Sequence, residues 1–404
     1  MPRSWTPRRA AIGAGAAATL VLVAACSSTS DPSASGPSST SQAAPSGSTG
    51  TTAGGVAADT TGITFPGEDW SEIDAAAAGM DPAVLESVAA EAEAGGSSCF
   101  VVTRNGELVD EWYWNGADPS STQEIFSATK SFTSILTGIA QDEGKLSIDD
   151  PAADYISAWQ GTPAEAITVK NLLSNNSGRH WDFQTDYLDM ATKAPDKTAF
   201  AIDLEMDAAP GEVWAYNNAA IQTLDEVLQV ATGESPATYG TEKLLEPIGM
   251  ADSTWKTDAS GNTLTFMGLD STCRDMARFG TLLLADGTWD GTQVVSADYV
   301  DEATSPSQEL NEAYGYLIWL NHLGTVANPV QPTTGAEGGS TVGQMVPGAP
   351  EDMFFALGLG NQVILVDPAS GVVATRIGPV NRPAGSTQFG QGNMARLVTE
   401  GLTD

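Results

Sequence analysis

Ser127 and Lys130 stand three residues apart in the run Phe126-Ser-Ala-Thr-Lys-Ser-Phe-Thr-Ser. On a helix, residues three apart share a face, so the hydroxyl and the amine can touch. A serine beside a neutral amine is a nucleophile that needs no histidine. The spacing alone is weak, because a serine-rich chain of 404 residues yields about one such match by chance. Three further features strengthen it. Lys130 opens a segment in which Phe132, Ile135, Leu136 and Ile139 recur at helical spacing, and a lysine on such a buried helix has its ammonium form disfavoured by desolvation. Trp214-Ala-Tyr-Asn-Asn places the Tyr216 phenol and the Asn218 amide two apart at a helix start. The Gly-rich Leu357-Gly-Leu-Gly at a strand end offers open backbone N–H groups which, with that of Ser127, could form an oxyanion hole. Whether Lys130 or Tyr216 takes the serine proton is left open by the sequence.

A Ser-His-Asp triad is the natural competitor. The chain has only His180 and His322 and no Gly-x-Ser-x-Gly elbow. Two distant histidines give no metal-ligand cluster, and no cofactor is expected.

Asp81-Pro82 marks a helix start, with Asp as N-cap and Pro at the first helical position. Asn105-Gly106 between two strand-like runs reads as a β-hairpin. Helices are expected from Ser127 to Gly144, from Thr168, from Asn218 to Thr232, near Ser235 to Leu245, and from Ser271 to Ala285. Three strands follow residue 350, with Asp367-Pro-Ala-Ser-Gly as a turn, and a last helix closes the chain. Strands at both ends with helices between predict an α/β (α+β) fold. Its sheet is assembled from the N- and C-terminal segments, with a helical insertion at about 145–345.

Residues 1–25 read as an export signal: a basic start, an apolar run, and Val23-Ala-Ala before Cys26. That cysteine context resembles a bacterial lipobox, which implies lipid on Cys26 and residence at the extracytoplasmic face of the membrane. Residues 26–61 are dominated by Ser, Thr, Ala, Gly and Pro and read as a flexible tether. The folded domain is placed at 62–404. The chain carries 17 basic against 51 acidic side chains, a net charge of −34. Nucleic acid is thereby excluded as a partner, and the charge reads as a solvated, repulsive surface. Cys99 and Cys273 remain, either bonded in an oxidising compartment or buried as thiols.

Taken together, these motifs resemble the serine β-lactamase and penicillin-binding-protein superfamily, on its class C β-lactamase-like branch. Ser127-x-x-Lys130 meets its first motif and Tyr216-x-Asn218 its second, in the same order. Asp275-Met-Ala-Arg-Phe-Gly, Pro347-Gly-Ala-Pro and Phe355-Ala-Leu-Gly-Leu-Gly-Asn-Gln look most like 6-aminohexanoate-dimer-hydrolase-like and esterase members. The resemblance implies that Ser127 is acylated, that Lys130 and Tyr216 move protons, that Asn218 positions, and that the Leu359 N–H is the second oxyanion donor. It also implies that the loop carrying His180 lies beside the site, with Trp181 and Tyr187 as substrate contacts or packing. One departure stands out. The third motif is commonly Lys-Thr-Gly, whereas Ala356-Leu-Gly stands here and no lysine follows Lys256. The cation that would grip a substrate carboxylate is missing. Arg376 could replace it, or be a strand-end arginine paired with a surface carboxylate. The expected substrate is a small, uncharged ester or amide. The alternatives are β-lactamase or D-alanyl-D-alanine peptidase-like activity, or a tethered binder without catalysis.

Overall fold

The computed structural model describes residues 62–335 and 340–403. The export signal, Cys26 and the tether lie outside the described residues.

Helix α1 (Pro82–Ala94) starts where Asp81 accepts a hydrogen bond from the Ala83 N–H at 2.8 Å. Strands β1 (Cys99–Arg104) and β2 (Glu107–Tyr113) form the expected hairpin, with Asn105 at φ 50° and Gly106 at φ 78°, as a two-residue turn of this hand requires. Helix α2 (Thr129–Asp142) is buried from Thr129 to Ala140. The predicted Asn218–Thr232 helix is two helices, α3 (Asn218–Gln222) and α4 (Leu224–Thr232), and Gly233 closes the second at φ 81°. Helix α5 (Cys273–Leu284) follows, capped by Thr272.

Strand β3 (Trp319–Leu320) precedes the C-terminal trio β4 (Phe354–Gly358), β5 (Gln362–Asp367) and β6 (Val372–Ile377). The sheet runs β2-β1-β6-β5-β4-β3, antiparallel throughout, and the pairing Cys99↔Ile377 to Arg104↔Val372 joins the two ends of the domain. β5 and β6 are buried at every residue, which explains why they read as unbroken apolar runs. Successive side chains alternate between the two faces. On one face Thr375 donates to the Cys273 carbonyl of α5, and a Cβ on Gly280 would lie 2.4 Å from Val373. On the other, Phe100, which stands opposite Arg376, packs against Phe389. α2 meets α5 through the stacked rings of Phe132 and Phe279, 3.7 Å apart.

The 145–345 stretch is interleaved with the sheet layer as well as helical. It supplies the packing helix α5 and the edge strand β3.

Cys99 and Cys273 are joined by a disulfide that ties β1 to the start of α5, 174 residues apart in sequence. Closing so long a loop restricts the unfolded chain. The double Cys99→Ala/Cys273→Ala variant should lose about 2–5 kcal/mol of stability, read by urea unfolding, while retaining activity when folded.

Candidate active site

Ser127 sits in a single 3-10 turn, Phe126–Ala128, that leads into α2. Phe126 takes φ 49°, a left-handed conformation costly for a bulky residue, immediately before the serine. Its neighbours hold it there. Ile125 N–H donates to the Leu269 carbonyl at 2.9 Å, and the Ile125 carbonyl lies where a Cβ on Gly358 would come within 2.0 Å. Only glycine lets the end of β4 approach the serine segment so closely.

Lys130 is 1% exposed and makes three contacts: Ser127 Oγ at 2.8 Å, Asn218 Oδ1 at 2.7 Å and the Phe266 carbonyl at 2.8 Å. Two of these partners can only accept. A neutral amine has two hydrogens and one lone pair. Donating to Asn218 and Phe266 uses both hydrogens and leaves the lone pair facing the Ser127 hydroxyl. Burial pushes the amine down to about 7, against the opposing pull of the Asp186 carboxylate.

The orientation of the Asn218 amide is itself fixed. Its Nδ2 donates to Asp186 Oδ2 at 2.7 Å, while Asp186 Oδ1 accepts from the Ala219 N–H at 2.8 Å. Oδ1 of Asn218 is thereby turned to Lys130. Asp186 lies on the π-helical segment Gln184–Lys193 and is buried, and desolvation raises it to about 6 although these N–H groups oppose the shift. Asn217 caps α3 and donates to the Arg179 and His180 carbonyls at 3.2 Å each, which holds the Tyr216-Asn217-Asn218 segment in place.

The Tyr216 ring lies 4.7 Å from Lys130 Nζ, stacked on Trp319 at 5.6 Å and edge-on to Tyr314 at 6.2 Å. Burial raises its phenol to about 12, while hydrogen bonding with Ser127 and Trp319 pulls the other way. It is therefore a neutral donor near pH 7. Beyond Phe355, which pairs with Trp319, the edge of β4 has no partner strand among the described residues. The Met353 carbonyl points to that edge, accepting from Asn321 N–H at 2.9 Å. Strand alternation then directs the backbone groups of Leu357 to the same edge, and Leu359 follows directly after the strand's last residue, Gly358.

The Beta-lactamase family profile matches residues 82–390, which span the whole of this site. The chain belongs to the Beta-lactamase family. Within it the chain is class C-like, a serine hydrolase by family. An uncharacterized protein of Alkalihalophilus pseudofirmus is 26% identical over 314 residues, covering 70% of this chain and 83% of that one. The 6-aminohexanoate-dimer hydrolase of Paenarthrobacter ureafaciens is 26% identical over 226 residues, 51% of this chain and 56% of the hydrolase's own length. A penicillin-binding protein homologue of Caulobacter crescentus shares the fold with a TM-score of 0.59 at 17% identity, covering 81% of this chain and 97% of that one.

The remaining predicted residues of this family member fall around that centre. Tyr187 packs on Phe183 at 5.0 Å, and burial raises its phenol. The Trp181 indole donates to the Tyr216 carbonyl at 3.1 Å, so it buttresses the motif. Both ring nitrogens of His180 are occupied, Nδ1 by Asp207 at 2.9 Å and Nε2 by Asp182 at 2.9 Å. The imidazole is a loop clamp, with no ring nitrogen left for a substrate. Arg376 corrects the sequence reading in both its forms. It is 2% exposed, and its bonds go to Ser97 Oγ and to the Gly360 and Asn361 carbonyls, neither to a surface carboxylate nor into the site.

Two members of the site were not found from the sequence: Asp186 and the Phe266 carbonyl. Neither carries a motif, and a lone aspartate before Tyr187 gives no spacing signal. Asp186→Asn should lower kcat on an activated ester by about 10- to 100-fold, by freeing Asn218 to rotate. The remaining activity should have its acid limb at lower pH, because the carboxylate that favours the Lys130 ammonium is gone. A pH–rate profile reads both effects, and a merely structural role would leave the limb in place.

Proposed function

We propose that the protein hydrolyses a small, uncharged ester or amide through an acyl-enzyme on Ser127. The carrying observation is the hydrogen-bond set of Lys130, whose two fixed acceptors leave its lone pair for the serine proton. In the first step Ser127 Oγ bonds to the substrate carbonyl carbon and its proton passes to Lys130 Nζ. The carbonyl oxygen becomes an anion stabilised by the Ser127 and Leu359 N–H groups. The bond from carbon to the leaving group then breaks, and the leaving atom takes a proton by way of Lys130 and Tyr216. Water attacks the ester on Ser127, gives up its proton by the same route, and releases the acid. Tyr216 serves as a relay and donor, since a phenol raised to about 12 is protonated near neutrality.

Three cations among the described residues are already committed to protein groups, which supports the uncharged substrate. Lys256 is held by Glu124 at 3.2 Å and Asp270 at 2.7 Å, Arg179 donates to the Ala201 and Ile202 carbonyls, and Arg376 is committed to the turn after β4. The aromatic wall of Tyr216, Trp319 and Tyr187 favours an apolar acyl or leaving group. From the sequence of residues 1–61 we further propose that the enzyme acts outside the cytoplasmic membrane, tethered by lipid on Cys26.

A panel of p-nitrophenyl esters, nitrocefin, D-amino-acid amides and linear amide oligomers tests this, each scaffold presented with and without a carboxylate. Faster turnover of the uncharged partner in each pair is expected. A consistent preference for the carboxylate form would overturn the uncharged-substrate reading.

A further inference from the structure

Arg376 is a buried cation whose cost has no structural explanation in the sheet itself. It lies on β6 between Phe100 and Val363, 2% exposed, and no carboxylate among the described residues pairs with it. An unpaired guanidinium away from water is expensive unless hydrogen bonds replace its hydration. Here they do, and they converge on one place. Nε donates to Ser97 Oγ at 2.8 Å, and Nη1 donates both to the Gly360 carbonyl and to the Asn361 carbonyl, the latter at 2.8 Å. These carbonyls belong to the turn Leu359–Asn361 between β4 and β5. The third carbonyl of the turn, that of Leu359, accepts from Gln362 Nε2 at 3.1 Å, and Gln362 is anchored in turn by the Gly378 N–H at 2.8 Å.

All three carbonyls of the turn are thus drawn to side chains of the sheet interior. Gly360 and Asn361 have φ 83° and 59°, so the turn holds two consecutive left-handed residues. Short hairpin turns form from backbone preferences alone and need no buried charge behind them. What the charge adds is rigidity. Peptide groups are planar, so the Gly360 and Asn361 carbonyls held by Arg376 fix the two peptide planes on the C-terminal side of the turn and leave the adjoining Leu359 little freedom to swing.

We propose that Arg376 is a positioning residue for the reaction: it holds the Leu359–Asn361 turn so that the Leu359 N–H stays aimed at the carbonyl oxygen attacked by Ser127, without touching the substrate. This rests on the acyl-enzyme reading above.

The test compares an activated ester with its thionoester, in which C=S replaces C=O. Sulfur is larger and a poorer acceptor, so an intact oxyanion hole discriminates against it, and a misaligned one discriminates less. All rates are taken per active site titrated with a fluorophosphonate, so that misfolded protein does not count. Arg376→Lys keeps the charge but cannot span Ser97 and two carbonyls, and Arg376→Gln serves as the second variant should the first fold poorly. Both should lower kcat by about 30- to 100-fold, leave KM within about twofold, and reduce the oxo/thiono rate ratio by about tenfold. Ser97→Ala, which removes only the Nε partner, should lower stability and leave the ratio alone. An unchanged ratio in the two Arg376 variants, or an equal change in Ser97→Ala, would overturn the positioning role. Persistent ester turnover by Ser127→Ala would instead overturn the acyl-enzyme reading, and this proposal with it.

Discussion

Ser127→Ala protein should show no ester turnover above background, a loss of about 10⁴-fold or more in kcat, with a melting temperature within about 2 °C of the parent. The magnitude follows from covalent catalysis, in which no neighbouring atom can replace the missing oxygen. The small stability effect follows from the local structure. Ser127 is only half-buried, and its side chain makes no cap hydrogen bond for α2, so folding does not depend on it. Steady-state kinetics and thermal unfolding of the same preparation check both halves. Retained turnover would place the chemistry elsewhere.

Lys130→Met should lower kcat/KM by about 10²- to 10⁴-fold, the range for loss of a general base. In the wild type, kcat/KM should climb with pH through about 7 as the buried ammonium gives up its proton, and the methionine variant should lack that limb. Lys130 and Asp186 are linked through Asn218, so the limb belongs to the pair. The same lysine leaves a signature in stability. Its folded value, about 7, lies below the ordinary 10.5, so between those pH values the unfolded chain binds a proton that the folded chain does not. Wild-type stability relative to Lys130→Met should therefore be flat below pH 7 and rise toward pH 10, with a slope of at most about 1.4 kcal/mol per pH unit. Urea titrations of both proteins across that range measure it. A parallel pH dependence in the two would mean that Lys130 is not held in its uncharged form.

The parts of this site that were legible in the sequence are those fixed by local chemistry. The three-residue spacing of Ser127 and Lys130, the Tyr216-x-Asn218 pair at a helix start, and the glycines after Leu357 each reflect a short-range constraint. So do the Asp81-Pro82 cap and the Asn105-Gly106 turn, both of which appear where expected. The parts that were not legible depend on distant chain segments. Asp186 matters because the π-helical segment 184–193 brings its carboxylate under α3, and no periodicity announces that approach. The Phe266 carbonyl is a backbone atom and carries no sequence signal at all. Arg376 was read as a candidate substrate clamp because strand alternation alone cannot say which face will be dry. The face is settled by Phe100 and Phe389, contributed from opposite ends of the chain. The division of the 218–232 helix at Thr223 was likewise invisible, since Ile221, Leu224, Val227 and Leu228 keep one apolar stripe across it.

The most direct test of the central claim is to locate the acyl group. The full chain would be mixed with a fluorophosphonate or an activated ester, quenched with acid, digested, and mapped by mass spectrometry. A single adduct is expected, on Ser127 within the peptide that contains Phe126 and Ala128, absent from Ser127→Ala and slowed in Lys130→Met. Active protein whose adduct sits on any other residue, or that turns over ester with no adduct on Ser127 under either reagent, would contradict the account.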